Sequence, residues 1–385
     1  MRPERYALRS NSLAVIADDF TGAAEIGGVA VRYGLAAEVQ TAWTASEIGV
    51  IAVDADTRSL PAREAAQNAG KLAEKIGISS WVYKKIDSVL RGPVVAEIEA
   101  VLEALGKRRA LLVPANPSLG RVIRGGCYFI DGEPIDKTDF GKDPEYPAMF
   151  SDVRKILGTS RVVVLRPQDA LPERGIILGE AASVKDVTAW AQRLDDHTLP
   201  AGAAEFFARI LETRLGRRAD QSVPLSSGMA CDKALFVCGS ASAQSRMVRQ
   251  EFERRSLPVL FVPQGRGDAD TPPADLLQML ADAAAAALAS HSRVLLCLDQ
   301  HSSREGIIDD LLYAVERLLG RSAVDHLYVE GGSTASALIR RLGWRRMRVD
   351  RELAPGVVSL EVRGERRLLT VKPGSYRWPD VVWKQ

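Results

Sequence analysis

The sequence has 385 residues, 46% hydrophobic and 26% charged, an ordinary soluble composition long enough for two cores. A formal net charge of +2 gives no field that would draw nucleic acid or an anionic membrane, and no apolar run reaches the length of a membrane span. Cys127, Cys231, Cys238 and Cys297 show no CxxC spacing, and His197, His291, His301 and His326 form no ligand-spaced pair, which argues against zinc.

Residues 1–10 carry Arg2, Arg5 and Arg9 without the apolar core of a signal peptide, so a frayed basic leader and a cytoplasmic location are expected. Leu13–Ala17 then reads as a short buried parallel strand. Asp18 and Asp19 close it, and Thr21-Gly22-Ala23-Ala24 opens a helix running to about Tyr33. Ala37–Thr41 and Val50–Asp54 are the next strands, the second delivering Asp54 to Ser59. Helix Arg63–Ile76, strand Trp81–Lys84, helix Val94–Leu105 and strand Ala110–Val113 continue the alternation. Gly125–Pro147, rich in Gly, Pro, Asp and aromatics, reads as an inserted hairpin and loop. Strands Arg161–Leu165 and Gly175–Ala181 and helices Val184–Arg193 and Ala203–Leu215 complete the first half.

Arg217–Asp232 lacks apolar periodicity, which predicts domains of residues 1–222 and 223–385. The rhythm restarts with strand Ala234–Cys238 and a helix from about Ser242. Strand Val259–Val262, helix Asp275–Ser290, strand Val294–Leu298, helix Glu305–Leu319, strand His326–Val329 and helix Ser333–Leu342 follow. Short strands fill Met347–Val371. The fold class expected is α/β, two domains, each a mainly parallel sheet flanked by helices.

In open α/β sheets, ligands collect beyond the carboxyl ends of the strands. Asp18 and Asp19 would lie there, where paired carboxylates can accept from sugar hydroxyls, act as a base or hold a hydrated cation. Equally, Asp18 can simply end the strand while Asp19 caps the helix. The next strand ends offer Arg58, then Lys84, Lys85, Asp87, Ser88 and Arg91, then Asn116. That mixture suits a small hydroxylated anion, because Arg grips a carboxylate while Asp takes hydroxyl protons. The plainer alternatives are a solvated Lys84 and Arg91, with Asp87 and Ser88 capping a helix. In the second half, Gly239-Ser240-Ala241-Ser242 and Glu330-Gly331-Gly332-Ser333-Thr334 each follow a strand and open a helix, where amides can approach phosphate. Lys372-Pro373-Gly374 could add a third wall. Neither a Walker loop nor a spaced GxGxxG fingerprint is present, which disfavours a dehydrogenase.

These segments together resemble the four-carbon acid sugar kinases, over about Leu13 to Tyr376. The anchors are Ala17-Asp-Asp-Phe-Thr-Gly-Ala23, Thr57-Arg58-Ser59, Tyr83 to Gly92, Pro114 to Arg121, Gly239 to Ser242 and Val329 to Thr334. The resemblance implies an ATP-dependent kinase acting on a sugar acid such as threonate, erythronate or an oxo-tetronate. Its N-terminal domain would bind the acid, its C-terminal domain ATP, with the active site in an interdomain cleft. Carried over by position, the substrate contacts are Asp18 or Asp19, Arg58, and Lys85, Ile86, Asp87 and Ser88. The ATP contacts are Ser240, Gly331, Gly332, Ser333, Thr334 and Gly374. Within that frame Asp19 orients or deprotonates the terminal hydroxyl, with Asp18 as the alternative, Arg58 and Lys85 hold the substrate carboxylate, and Arg91 stabilises the transferring phosphate. Mg2+ is expected to bridge the ATP phosphates, with no dedicated protein ligand, and a homodimer is suggested.

The sequence departs from the family pattern in three places. The phosphate loop reads Gly-Gly-Ser-Thr where many relatives have Gly-Gly-Glu-Thr, the last loop reads Lys-Pro-Gly-Ser-Tyr-Arg-Trp, and the chain is somewhat short. The first departure motivates a rival reading, a sugar-acid and nucleotide-binding sensor without turnover. A second rival is a kinase for another polyol acid, with Ile123 to Asp136 reshaping the pocket.

Overall fold

The computed structural model describes residues 13–78, 80–142, 147–216, 232–239, 243–263, 274–299 and 306–384. The chain divides into two compact units, residues 1–221 and 222–385. The leader, Ser240 to Ser242 and most of the segment around the domain junction lie outside the described residues.

In the N-terminal unit, β1 (Leu13–Ala17) leads into α1 (Phe20–Arg32), followed by β2 (Ala37–Gln40) and β3 (Val50–Asp54). Helix α2 (Ala62–Ile76), β4 (Trp81–Lys85), α3 (Val94–Ala104) and β5 (Arg109–Val113) come next. A small antiparallel sheet, β6 (Arg121–Arg124), β7 (Cys127–Ile130) and β8 (Glu133–Pro134), is inserted there. It begins at Arg121, four residues before the expected Gly125. The chain then runs through α4 (Val153–Ile156), β9 (Val162–Leu165), β10 (Gly175–Gly179), α5 (Val184–Ala191), β11 (Thr198–Gly202) and α6 (Ala204–Leu215).

The main sheet has the order β2-β3-β1-β4-β11-β5-β10-β9, and every pair in it is parallel. Helices cover such a sheet on both faces, which is why β1 and β3 are buried along their whole length and read as unbroken apolar runs. From β1 the chain passes to β2 and β3 on one side, then crosses to β4 on the other. The carboxyl ends of β3, β1 and β4 therefore lie side by side at a switch point, the usual ligand position in such sheets.

Strand β11 carries Pro200, which cannot donate to a sheet ladder and is disfavoured in a central strand. The structure accommodates it. Ala203 N donates to Val113 O and Ile86 N to Gly202 O, so the even-numbered residues of β11 face β4. Pro200 thus lacks its N–H on the β4 side, where pairing starts only at Ala201. On the other side, β11 pairs with β5 through all five residues.

The C-terminal unit contains β12 (Ala234–Cys238), α7 (Ala243–Arg254), β13 (Val259–Phe261), α8 (Ala274–Ser290), β14 (Arg293–Cys297) and α9 (Ile307–Leu319). It continues with β15 (His326–Glu330), α10 (Gly332–Arg341), β16 (Arg346–Ala354), β17 (Val357–Val362), β18 (Leu368–Lys372) and α11 (Val381–Lys384). The order is β13-β14-β12-β15-β18-β17-β16, parallel as far as β18 and antiparallel over the last three strands. An aromatic cluster of Phe236, Phe252, Tyr328, Trp378 and Trp383 packs one face, with Phe236 stacked on Tyr328 at 4.4 Å. Among the described residues, no helix is long and apolar enough to cross a membrane.

Candidate active site

Register places the first cluster. Ala17, the last residue of β1, pairs with Asp54 of β3 on one side and Lys85 of β4 on the other. Asp18 therefore emerges between the ends of two neighbouring strands. Its carbonyl accepts from Thr57 N at 3.0 Å and Arg58 N at 3.2 Å, which folds the loop after β3 back over β1.

Arg58 is the centre of that loop. Its Nε donates to Asp18 Oδ2 at 2.8 Å and its Nη1 to Asp19 Oδ2 at 2.6 Å, with Asp87 Oδ1 3.8 Å away. One guanidinium thus neutralises two adjacent carboxylates that would otherwise repel. Burial pushes the Asp18 carboxyl up, but Arg58, Lys84 and Lys85 outweigh it and hold it below the usual range. Gly92 allows the approach, since a Cβ there would lie 2.8 Å from Arg58 O.

Asp19 is the N-cap of α1, in extended backbone with φ −144°. Its Oδ1 accepts from Gly22 N at 2.7 Å and its Oδ2 from Thr21 Oγ1 at 2.8 Å. A Cβ at residue 22 would fall 2.7 Å from that Oδ1, so the glycine belongs to the cap. The helix-cap alternative for Asp19 is what the structure shows, and it leaves both carboxylate oxygens occupied. Asp18 differs: it is 2% exposed, and its Oδ1 accepts no hydrogen bond among the described residues.

The β4 loop holds several of its own charges in place. Lys85 Nζ sits 3.2 Å from Glu25 Oε2 and donates to Ile86 O at 3.0 Å. Burial opposes its charge, but Glu25, Asp18 and Asp19 keep the ammonium above its ordinary value. Lys85 is thus paired within the chain. Ile86 is 1% exposed and packs into the apolar core, so only its backbone faces polar partners. Asp87 receives Arg91 through two bonds, Nε to Oδ2 at 3.0 Å and Nη2 to Oδ1 at 2.8 Å. Burial raises the Asp87 carboxyl, yet Arg91 and Arg58 bring it far below the usual range. Arg91 therefore secures Asp87. Neither Asp87 nor Ser88 caps α3, whose first residue is Val94; Asp87 closes a turn onto Val89 N and Arg91 N. Ser88 Oγ accepts from Arg121, and Ser88 O accepts from Tyr128 Oη at 2.6 Å, so the inserted sheet reaches this loop.

Lys84, expected as a solvated alternative, is fully buried. Its Nζ lies 2.8 Å from Glu97 Oε2, which also accepts from Thr57 Oγ1 at 2.8 Å. Glu97 lies in the first turn of α3, on a helix that also carries Glu99 and Glu103, and sequence alone does not distinguish it from them. Asn116 follows β5, two strands from β4 because β11 intervenes, and its backbone pairs with Arg121.

The second cluster is in the C-terminal unit. Cys238, Glu330 and Lys372 are register partners at the ends of β12, β15 and β18, so the three glycine loops emerge side by side. Gly331 has φ +96°, a conformation that favours glycine, and caps α10. Among the described residues, a Cβ at Gly331 would meet nothing nearer than Thr334 Oγ1 at 3.7 Å, and one at Gly374 nothing nearer than Gly331 Cα at 3.9 Å. The omitted side chains leave a cradle at the α10 N-terminus, where amides and helix dipole favour phosphate. Gly332 and Ser333 border it, Ser333 exposed. Thr334 is buried against Gly239, where a Cβ would fall 2.2 Å from Thr334 Oγ1. Ser240 lies outside the described residues. No group of three or more His, Cys, Asp or Glu suited to a metal occurs among the described residues.

Comparison with known proteins bears on both clusters. Residues 13–196 match the model of a sugar-binding N-terminal domain, and residues 235–376 that of a nucleotide-binding C-terminal domain. A D-threonate kinase of Salmonella typhimurium is 26% identical, covering 89% of this chain and 89% of its own. A 3-oxo-tetronate kinase of Cupriavidus necator is also 26% identical, covering 96% and 95%. A crystal structure from Salmonella typhimurium LT2 superimposes with TM-score 0.73 at 19% identity, over 95% of this chain and 96% of that one, a likeness of fold. With both domain models matched in order and full-length kinase relatives, the chain belongs to the four-carbon acid sugar kinase family.

Proposed function

We infer that the protein transfers the terminal phosphate of ATP to the terminal hydroxyl of a four-carbon sugar acid of the threonate, erythronate or oxo-tetronate type. The observation that carries this reading is the convergence of Asp18, Asp19, Arg58 and Asp87 at adjacent strand ends, in a domain whose family model is sugar-binding. The N-terminal domain, residues 1–222, holds the acid, and the C-terminal domain, residues 223–385, holds ATP.

Phosphoryl transfer asks the protein for positioning and charge neutralisation more than for covalent chemistry. Arg58 is the residue we assign to the substrate carboxylate, since Nη2 is not used in its bonds to Asp18 and Asp19. For the hydroxyl we assign Asp18 in place of Asp19. The support is its unused Oδ1, against two occupied oxygens on Asp19. An acceptor held ionised by Arg58 can orient the hydroxyl and take its proton as the oxygen–phosphorus bond forms. The backbone amides of the first turn of α10, at Gly332 and Ser333, with the loop at Gly374, are assigned to the phosphates. Mg2+ is assigned to the phosphates themselves and their waters, because the ion dehydrates reluctantly and needs few protein ligands; its chemistry is to neutralise charge on the transferring group.

The relatives are kinases, so the sensor reading has no observation in its favour. Equal identity to a D-threonate kinase and a 3-oxo-tetronate kinase leaves the choice of acid to experiment. Coupled ADP release with Mg-ATP and a panel of threonate, erythronate and 2- and 3-oxo-tetronate stereoisomers is expected to give turnover on one of them. ATP binding with no turnover across that panel and a longer-chain acid panel would overturn the reading.

A further inference from the structure

The carboxylate of Glu330 has no part in the reading so far, yet it is wholly buried at the base of all three glycine loops. We propose that Glu330 is the positioning residue of the nucleotide site: it ties the ends of β12, β15 and β18 and the first turn of α7 into one platform and so governs affinity for ATP without touching it.

Its partners sit on the strand ends and the helix that flank the glycine loops. Glu330 itself is the residue before Gly331. Its Oε2 lies 2.9 Å from Lys372 Nζ, also fully buried, two residues before Gly374. Its Oε1 accepts from Ser245 Oγ at 2.6 Å, in the first turn of α7, just past Gly239 to Ser242. Cys238 Sγ, the residue before Gly239, is 3.9 Å from Oε2. The backbone repeats the linkage, with Gly331 N donating to Lys372 O at 3.0 Å.

Glycine loops are chosen for close approach to phosphate, and that same freedom leaves them without side chains to fix their own geometry. A charge buried beneath them supplies the missing constraint, because separating the partners of a buried ion pair leaves an uncompensated charge in the interior. Lys372 is bound into the same constraint. Burial disfavours its charge, Glu330 sustains it, and the ammonium lies over the Trp378 ring at 5.3 Å.

This inference rests on the assignment of ATP to the C-terminal domain, and the test separates the two. Glu330→Gln keeps the shape and the acceptor for Ser245 but withdraws the charge facing Lys372. Calorimetric titration with Mg-ATP should show affinity falling by about tenfold or more, the scale of a small misplacement. The KM for ATP should rise in parallel, while the KM for the acid and kcat at saturating ATP stay close to wild type. Ser245→Ala, which removes one hydrogen bond, should weaken ATP by about threefold with the same split. It decides the matter if Glu330→Gln does not fold. Folded variants with unchanged ATP affinity, or with the acid KM rising equally, overturn the proposal. Wild-type protein that fails to bind Mg-ATP overturns the nucleotide assignment itself, and this inference with it.

Discussion

On the proposed reading, the two units solve the same problem, holding an anion at the carboxyl edge of a parallel sheet, with opposite means. The N-terminal unit uses charged side chains in pairs: Arg58 with Asp18 and Asp19, Lys85 with Glu25, Arg91 with Asp87. The C-terminal unit uses backbone, with glycines where side chains would intrude and one buried pair, Glu330–Lys372, beneath them. Both units also bury a lysine–glutamate pair, Lys84–Glu97 in the first. The difference follows the ligands. A small acid with several hydroxyls needs direction from many polar atoms, whereas a phosphate chain needs amides and room.

The comparison can be broken most sharply at Asp18. Asp18→Asn should lower kcat by about two orders of magnitude or more, the scale of a lost base, while calorimetry shows ATP bound as before. Asp19→Asn should lose less, because asparagine also caps helices well. The reverse order, measured by steady-state kinetics on both variants, would return the hydroxyl to Asp19.

A smaller effect separates the units by pH. His326 in the C-terminal unit is 3% exposed, bonded to Thr370 Oγ1 at 2.6 Å, and burial pushes its imidazole down to about 3. A folded value below the unfolded one means that the unfolded chain binds the extra proton. Stability from this group is therefore present above about pH 6.5 and drains away as pH falls toward 3. Asp18 and Asp87, also held low, give up their contribution only below the ordinary aspartate range, nearer pH 4. Urea unfolding should thus find the C-terminal unit about 2 kcal/mol less stable at pH 5 than at pH 7. His326→Gln should flatten that slope; an unchanged slope would assign it to other groups.

What the sequence made legible follows the same division. The parallel strands could be placed because burial on both faces leaves unbroken apolar runs, and the site-bearing strand ends followed from them. Charged clusters at Asp18, Arg58 and Asp87 could be read as a site, since several polar residues at consecutive strand ends need a common reason. Pairing could not be read. Nothing in residue order says that Arg91 turns back onto Asp87, that Lys85 meets Glu25 sixty residues upstream, or that Asp19 spends its oxygens on a helix cap. Glu330 and Lys372 were visible as flanks of glycine loops, but their contact depends on β15 lying next to β18, forty residues later.

The division of labour itself is open to a crossed binding experiment. The substrate acid and Mg-ATP are titrated separately, by calorimetry, into wild type, Arg58→Ala and Gly331→Ala. Arg58→Ala should lose the acid and keep ATP, and Gly331→Ala, which strains a φ of +96° and fills the cradle, should weaken ATP and keep the acid. Variants that both lose the same ligand, or an Arg58→Ala protein that still binds the acid as wild type does, would contradict the assignment of acid to the first unit and nucleotide to the second.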